Sequence, residues 1–220
     1  MKNILAVDTA SSLLSVCIKK DESFFESTID YGLKHSETLM TEVDRMLKTA
    51  EMKAADLDLL VCSEGPGSFT GLRIGMATIK GLAAGLDIPY TAVPTSEYLA
   101  RGLEYFPGAV VPVLDARKQR FYSAVFLEGK KLTADLDISA EDLFKILKSY
   151  DQVLFTGPDC AMMDLSIRDG LVMDDNYFMG RSRQLLLLGL AAYQKNGPRS
   201  FDLGPVYLRK SEAEICMFGE

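Results

Sequence analysis

One histidine, His35, occurs in the 220 residues, and the four cysteines, Cys17, Cys62, Cys160 and Cys216, are widely spaced with no C-x-x-C pair. A zinc site needs about four clustered nitrogen and sulfur ligands, so this inventory argues against a metal centre. Cys17 and Cys62 sit in apolar, strand-like runs, where a thiol serves as a small core hydrophobe and not as a reactive group. Basic clusters are missing as well. The formal net charge is -7, from 24 basic and 31 acidic side chains, and the longest basic features are Arg117-Lys118-Gln119-Arg120 and Arg181-Ser182-Arg183. Phosphate contacts supply most non-specific affinity for nucleic acid, so the chain is not expected to hold RNA unaided. No low-complexity tract argues for disorder. The apolar stretch from Leu185 to Ala192 falls well short of the roughly 20 residues that span a bilayer, and Asp8 comes too early for a signal peptide. The expected location is the cytoplasm, without membrane contact.

What is present is an ordinary globular composition, 48% hydrophobic and 25% charged, in a chain long enough for one core or two lobes. Ile4 to Val7 is an apolar run ending at Asp8, and Leu13 to Ile18 returns after a short polar link, with Ser23 to Ile29 as a third strand. Glu37 to Ala50 has helical periodicity, with Ser36 available as N-cap. Leu39, Val43, Met46 and Ala50 form its core stripe, and Met40 and Leu47 widen it toward either the same core or another protein. Leu57 to Cys62 reads as a buried strand, Phe69 to Leu86 as a helix, Ile88 to Val93 as a strand, and a helix capped by Thr95 or Ser96 reaches Leu103. Tyr105-Phe106-Pro107-Gly108 breaks both periods and divides a first lobe, 1–104, from a second, 105–220.

The second lobe echoes the first. Ala109 to Leu114 is an apolar strand ending at Asp115, a polar turn follows, and Phe121 to Leu127 runs back, with Leu132 to Ile138 beyond the next turn. Ala140 to Tyr150 is a helix, Val153 to Thr156 a strand, and Gln184 to Gln194 a firm helix stopped at Asn196-Gly197-Pro198. This last helix is placed to pack back on the first lobe. Two similar mixed α/β lobes are the architecture these patterns imply.

Chemistry narrows the site. Glu64-Gly65-Pro66-Gly67-Ser68-Phe69-Thr70-Gly71 allows a tight strand-to-helix turn, which serves either as an anion cradle or as a structural turn. It lacks the lysine of a P-loop, since none occurs before Lys80, and threonine stands where a dinucleotide fingerprint needs its third glycine. Arg73, one turn on, reads as a phosphate ligand, an interface residue or one half of an intramolecular salt bridge. Asp8 and Asp115 invite a second reading, an ATP-dependent small-molecule kinase or hydrolase with a cleft between them, yet neither turn has a glycine to bring amides to a phosphate. His35 is the only histidine base for Ser63, Ser68 or Ser96, and no G-x-S-x-G elbow is present. Gly71, Gly75, Gly81 and Gly85 together forgo about 4 kcal/mol of helix propensity, at about 1 kcal/mol each. Close backbone approach, by the chain's own sheet or by a partner helix, is the expected reason.

Ile4-Leu5-Ala6-Val7-Asp8-Thr9, Lys34-His35-Ser36-Glu37, Gly65-Pro66-Gly67-Ser68-Phe69-Thr70-Gly71-Leu72-Arg73-Ile74-Gly75, Pro112-Val113-Leu114-Asp115-Ala116-Arg117 and Pro205-Val206-Tyr207-Leu208-Arg209 together resemble the characteristic segments of the TsaB (YeaZ) family, in order. The resemblance implies a two-lobed, actin-like ATPase fold, similar to sugar kinases and Hsp70-type domains, with degenerate nucleotide-binding elements. It also implies a non-catalytic subunit that supports its paralogue TsaD in forming threonylcarbamoyladenosine at position 37 of transfer RNAs reading codons that begin with A. TsaE is the associated ATPase and TsaC makes the adenylate. TsaD holds its metal with an H-x-x-x-H pair; here His35 is followed by Leu39.

No catalytic, cofactor-binding or metal residue is therefore expected in this chain, and binding of Mg-ATP by the isolated subunit is not. The expected partner surface is the pair of first-lobe helices near Met40, Val43, Leu47, Gly71, Gly75 and Thr78, which a homodimer can share. Transfer RNA is reached only through the complex. Replacement of Gly75 by leucine is expected to abolish complex formation while leaving the subunit soluble.

Overall fold

The computed structural model of the protein describes residues 1–32 and 34–209, so Cys216 lies outside the described residues. The chain opens with β1 (Asn3–Asp8), β2 (Leu13–Lys20) and β3 (Ser23–Asp30), an antiparallel run. After α1 (His35–Thr49), β4 (Leu59–Gly65) pairs parallel to β1. Then come α2 (Phe69–Leu86), β5 (Tyr90–Pro94) parallel to β4, and α3 (Thr95–Ala100). The sheet order is β3-β2-β1-β4-β5. Central β1 is buried on both faces, which explains its unbroken Ile-Leu-Ala-Val run, whereas β3, at the edge, alternates toward solvent.

The second sheet contains β6 (Ala109–Asp115), β7 (Arg120–Ser123), β8 (Phe126–Leu127), β9 (Lys130–Lys131), β10 (Leu136–Ser139), β11 (Val153–Thr156) and β12 (Leu171–Met173), with α4 (Ala140–Leu147) between β10 and β11. Its main path is β10-β7-β6-β11-β12. β6 is antiparallel to β7 and parallel to β11, as β1 is to β2 and β4. The echo between the lobes is therefore a repeat of topology. The repeat is unequal at one link. α2 joins β4 to β5, whereas β11 and β12 are joined through two single 3-10 turns, Cys160–Met162 and Leu165–Ile167.

Each side of the first sheet has its own core. Leu5, Val7, Val16, Leu60 and Cys62 meet Leu39, Val43 and Met46 of α1 and Met76 and Ile79 of α2. Ile4, Ala6, Cys17, Leu59 and Val61 meet Tyr98 and Leu99 of α3 and Leu185 and Leu186 of α5 (Ser182–Asn196). Leu114 from β6 joins that second cluster, so the lobes share apolar contacts. α5 thus belongs to the first sheet although its sequence lies in the second half. Burial pushes the thiols of Cys17, Cys62 and Cys160 up to about 12, which leaves them protonated core residues.

Several expected boundaries change. α1 begins at His35 with Lys34 as its cap, not Ser36, and α3 stops at Ala100 rather than Leu103. Phe121 to Leu127 is two strands. β6 bonds β7 through Val113–Asp115 and β8 through Ala109 and Val110, and Pro112 between them has no N–H to continue the ladder. Leu132 to Ile138 is strand only from Leu136, because Leu132 N–H and Thr133 Oγ1 are already bonded to the Val125 backbone. Helix α4 ends at Leu147, short of Tyr150. Among the described residues no helix is long and apolar enough to cross a membrane.

Helix α5 meets β4 at Gly189, where an added Cβ would overlap the Val61 side chain. Gly189→Leu is expected to lower unfolding free energy by about 1–3 kcal/mol, the usual cost of overpacking a filled core. Denaturant melts check this; unchanged stability would contradict the packing of α5 on the first sheet.

Candidate functional site

The glycine-rich segment leaves β4, turns, and enters α2. Ser68 caps the helix by accepting from Gly71 N–H at 3.2 Å, while its own N–H donates to the Ala10 carbonyl at 2.7 Å. Thr9 Oγ1 donates to the Gly71 carbonyl at 2.8 Å. The turn after β1 therefore lies directly on the start of α2. An added Cβ at Gly67 would overlap Ala10, and one at Gly71 or Gly75 would overlap Thr9. Close backbone approach is the reason for these three glycines, and the neighbour is the chain's own β1–β2 turn. Gly65, at φ +115°, lies against the Val206 carbonyl.

A cavity of about 380 Å³ lies between the lobes. Its walls include Ser11, Ser12 and Ser68 from the first lobe, Asp115, Arg117 and Lys118 from the second, and Tyr207 and Arg209 from the segment after α5. That C-terminal segment crosses the cleft as a strap. Tyr90 Oη donates to Ser200 O at 2.8 Å, Lys80 Nζ donates to the carbonyls of Phe201 and Leu203, and Val206 N–H donates to Glu64 O at 2.8 Å. Arg199 pairs with Glu64 at 2.6 Å, and both are largely buried. Beyond them Tyr207 packs on Phe69, with ring centroids 4.7 Å apart. At the far side Arg209 grips Asp137 with Nε 2.8 Å from Oδ2 and Nη2 2.9 Å from Oδ1, and donates to the Ala116 carbonyl at 3.1 Å. Arg120 bonds the same carboxylate at 2.7 Å. The expected Pro205–Arg209 motif is thus a tie between lobes.

The two aspartates differ. Asp8 is buried, is absent from the cavity wall, and accepts from Ala10 N–H at 2.9 Å in a local turn. Burial holds its carboxyl above the usual range, against the opposing pull of the Ala10 amide, the nearby Tyr98 and Ser63 hydroxyls and the charge of His35. Asp115 does line the cavity, but it accepts from Arg117 N–H at 2.7 Å and pairs with the Arg117 guanidinium at 3.0 Å. Its own N–H donates to Asp159 Oδ2 at 2.8 Å. His35 is buried with Nε2 2.7 Å from Ser11 O, tying α1 to the β1–β2 turn, and Leu39 lies in the core.

The expected partner residues separate as well. Met40 is half exposed, whereas Val43 and Leu47 are buried in the first core and are not available to another protein. Gly71 and Gly75 face Thr9, and Thr78 is half-buried. The outer side of α2 is instead Thr70, Arg73, Ala77, Gly81, Ala84 and Gly85. An added Cβ at Gly81 or Gly85 meets nothing within 4 Å. This open, small-residue face was half visible in the glycine spacing. Ala77 and Ala84 carry no such signal in the sequence, because alanine is equally at home in a core and on a surface.

A family model described as TsaD, tRNA N6-adenosine threonylcarbamoyltransferase, matches residues 31–196. The tRNA threonylcarbamoyladenosine biosynthesis protein TsaB of Bacillus subtilis is 33% identical, covering 96% of each chain. The fold is similar to that of YeaZ from Pseudomonas aeruginosa, with a TM-score of 0.78 over 94% of this chain and 100% of that one at 22% identity. A more distant likeness, to EutJ of Carboxydothermus hydrogenoformans, has a TM-score of 0.54 at 13% identity over 84% and 89% of the two chains.

Asp8 gives a pH signature. A carboxyl raised in the folded state stabilises the fold below its unfolded pKa, and that contribution is lost as pH rises through the folded pKa. Asp8→Asn keeps an acceptor for Ala10 and removes the buried charge. Its stability relative to wild type is expected to improve as pH rises from the ordinary aspartate range toward neutrality, read as thermal midpoints against pH. A pH-independent difference would contradict the burial of a titrating Asp8.

Proposed function

The chain belongs to the TsaB (YeaZ) family, and from that premise we propose that it is the non-catalytic partner of TsaD in making threonylcarbamoyladenosine at position 37 of transfer RNAs that read codons beginning with A. TsaD carries the chemistry in this reading, TsaE joins the assembled complex, and transfer RNA meets this chain only within it. The setting is the cytoplasm. The actin-like, two-lobed α/β architecture is kept, while the parts that would serve a nucleotide are turned to internal contacts.

One observation carries the reading: the outer face of α2 is open and small. Gly81 and Gly85 gain nothing from their own fold, yet each forgoes about 1 kcal/mol against alanine in a helix interior. A second backbone that must come close supplies the reason. Ala77, Gly81, Ala84 and Gly85 present a low surface against which a TsaD helix can lie, and Met40 of α1 is a further exposed apolar side chain for the partner. Occupation of that face only in the active arrangement of TsaD would shift TsaD toward it. A homodimer can use the same face when TsaD is absent.

The rival reading, an ATP-dependent small-molecule kinase or hydrolase using Asp8 and Asp115, fits less well. The Ser68 amide at the start of α2 is committed to Ala10, Asp8 lies out of the cavity, and Asp115 is held by Arg117. Calorimetry with Mg-ATP separates the two: micromolar binding lost in Asp8→Ala would favour the enzyme.

The substitution that tests the surface is Gly81→Trp, not Gly75→Leu. Leucine at Gly75 would collide with Thr9 and unfold or loosen the isolated subunit, so its effect on the complex would be uninformative. Gly81→Trp is expected to keep the wild-type melting midpoint within a few degrees and to weaken TsaD binding at least tenfold, about 1.4 kcal/mol. Unchanged binding by the folded variant would remove α2 from the interface.

A further inference from the structure

At the N-terminal end of the same α2 face stands a basic group with an unusual setting. The Arg73 guanidinium carbon lies 3.9 Å from the Phe69 ring centroid and 5.7 Å from that of Tyr207. Arg73 Nε donates to Tyr207 Oη at 3.0 Å. Tyr207 is itself fixed, because Val206 beside it is bonded to Glu64 and Arg209 beyond it is clamped to Asp137. Phe69 and Tyr207 thus form a tilted aromatic pair, built half from the helix and half from the strap, against which the guanidinium of the exposed Arg73 lies.

Three physical consequences follow. Stacking and the Nε bond remove much of the rotamer freedom that a surface arginine ordinarily loses when it binds, so the ordering cost is already met within the monomer. The Nε bond leaves the two terminal nitrogens, and no carboxylate among the described residues pairs with them. The arginines of the strap, Arg199 and Arg209, are by contrast each matched to an acid, Glu64 and Asp137. A preorganised, uncompensated guanidinium beside a small, flat helix face is the composition of an interface anchor.

We propose that Arg73, held by Phe69 and Tyr207, is the charged anchor of the α2 face and takes a carboxylate side chain of the protein that docks there. This rests on the reading of α2 as the partner face. A protein carboxylate suits the setting better than an RNA phosphate, because the exposed residues that share this side of α2 with Arg73, namely Thr70, Ala77 and Gly81, include no further basic group, and the chain as a whole carries a net charge of -7. The strap is thereby part of the interface: it crosses the lobes and its Tyr207 sets the arginine that the partner reads.

The test is the affinity of purified full-length variants for TsaD, with melting midpoints measured alongside. Arg73→Ala is expected to weaken binding by 10- to 100-fold while moving the melting midpoint by no more than a few degrees, since only an exposed stack and one hydrogen bond are lost. Arg73→Lys, which keeps the charge but not the planar stack, should recover less than half of that loss on a logarithmic scale. Tyr207→Phe, which keeps the ring and deletes only the hydroxyl, should fall between wild type and Arg73→Ala. Raising salt should weaken wild type more than Arg73→Ala. Should wild type bind TsaD and Arg73→Ala bind within twofold of it, the anchor is overturned while the partner reading stands. Absence of wild-type binding would overturn both. Unchanged TsaD affinity with weakened transfer RNA binding by the assembled complex would make the anion a phosphate and equally overturn the proposal.

Discussion

The seat of α2 on the turn after β1 organises the first lobe. Two hydrogen bonds define it, from Ser68 N–H to Ala10 and from Thr9 Oγ1 to Gly71, and the missing side chains of Gly67, Gly71 and Gly75 make room for it. His35 reaches the same turn through Ser11, so the starts of α1 and α2 are fixed to one short segment. The Ser68 amide is thereby taken by a protein carbonyl, and the cleft between the lobes is crossed by the strap.

The duplicated topology clarifies what is special about α2. Both sheets run in the same order around a central strand that ends in aspartate, but between the fourth and fifth strands of the main path only the first lobe carries a long helix. The second lobe replaces it with short turns. Contact between the lobes is kept by Leu114 in the shared core and by the strap, whose Val206 N–H bonds Glu64 in the first lobe and whose Arg209 grips Asp137 in the second. A partner face confined to α1 and α2 can therefore sit on a body whose shape is maintained by its own side chains.

Most of the architecture was legible in the sequence, because β1, α2 and β11 each have a period or an apolar run too regular to misread, and their limits fall where the punctuation falls. Legibility failed where tertiary contacts decide. Nothing in the spacing of Val43 and Leu47 distinguishes a wide core stripe from an outward face; the answer depends on β2 and α2 lying on both sides of α1. Gly71 and Gly81 read alike along the chain, yet one abuts Thr9 and the other solvent. The split of β7 from β8 turned on Pro112 in the opposing strand, a residue far from the break in sequence. The Pro205–Arg209 motif was visible, but its use as a strap was not, since its partners Glu64, Phe69 and Asp137 lie in three distant segments.

The central claim is that this chain assists a catalyst and supplies no reacting group. Reconstitution of transfer RNA modification with TsaD, TsaE and the adenylate-forming enzyme tests it directly, comparing no added chain, wild type, and the doubly substituted Asp8→Asn, Asp115→Asn chain. Omission should abolish modification, and the folded double variant should restore it within about twofold of wild type, since a removed transition-state contact would cost tenfold for each 1.36 kcal/mol. Loss of activity by a double variant that still folds and still binds TsaD would contradict the claim.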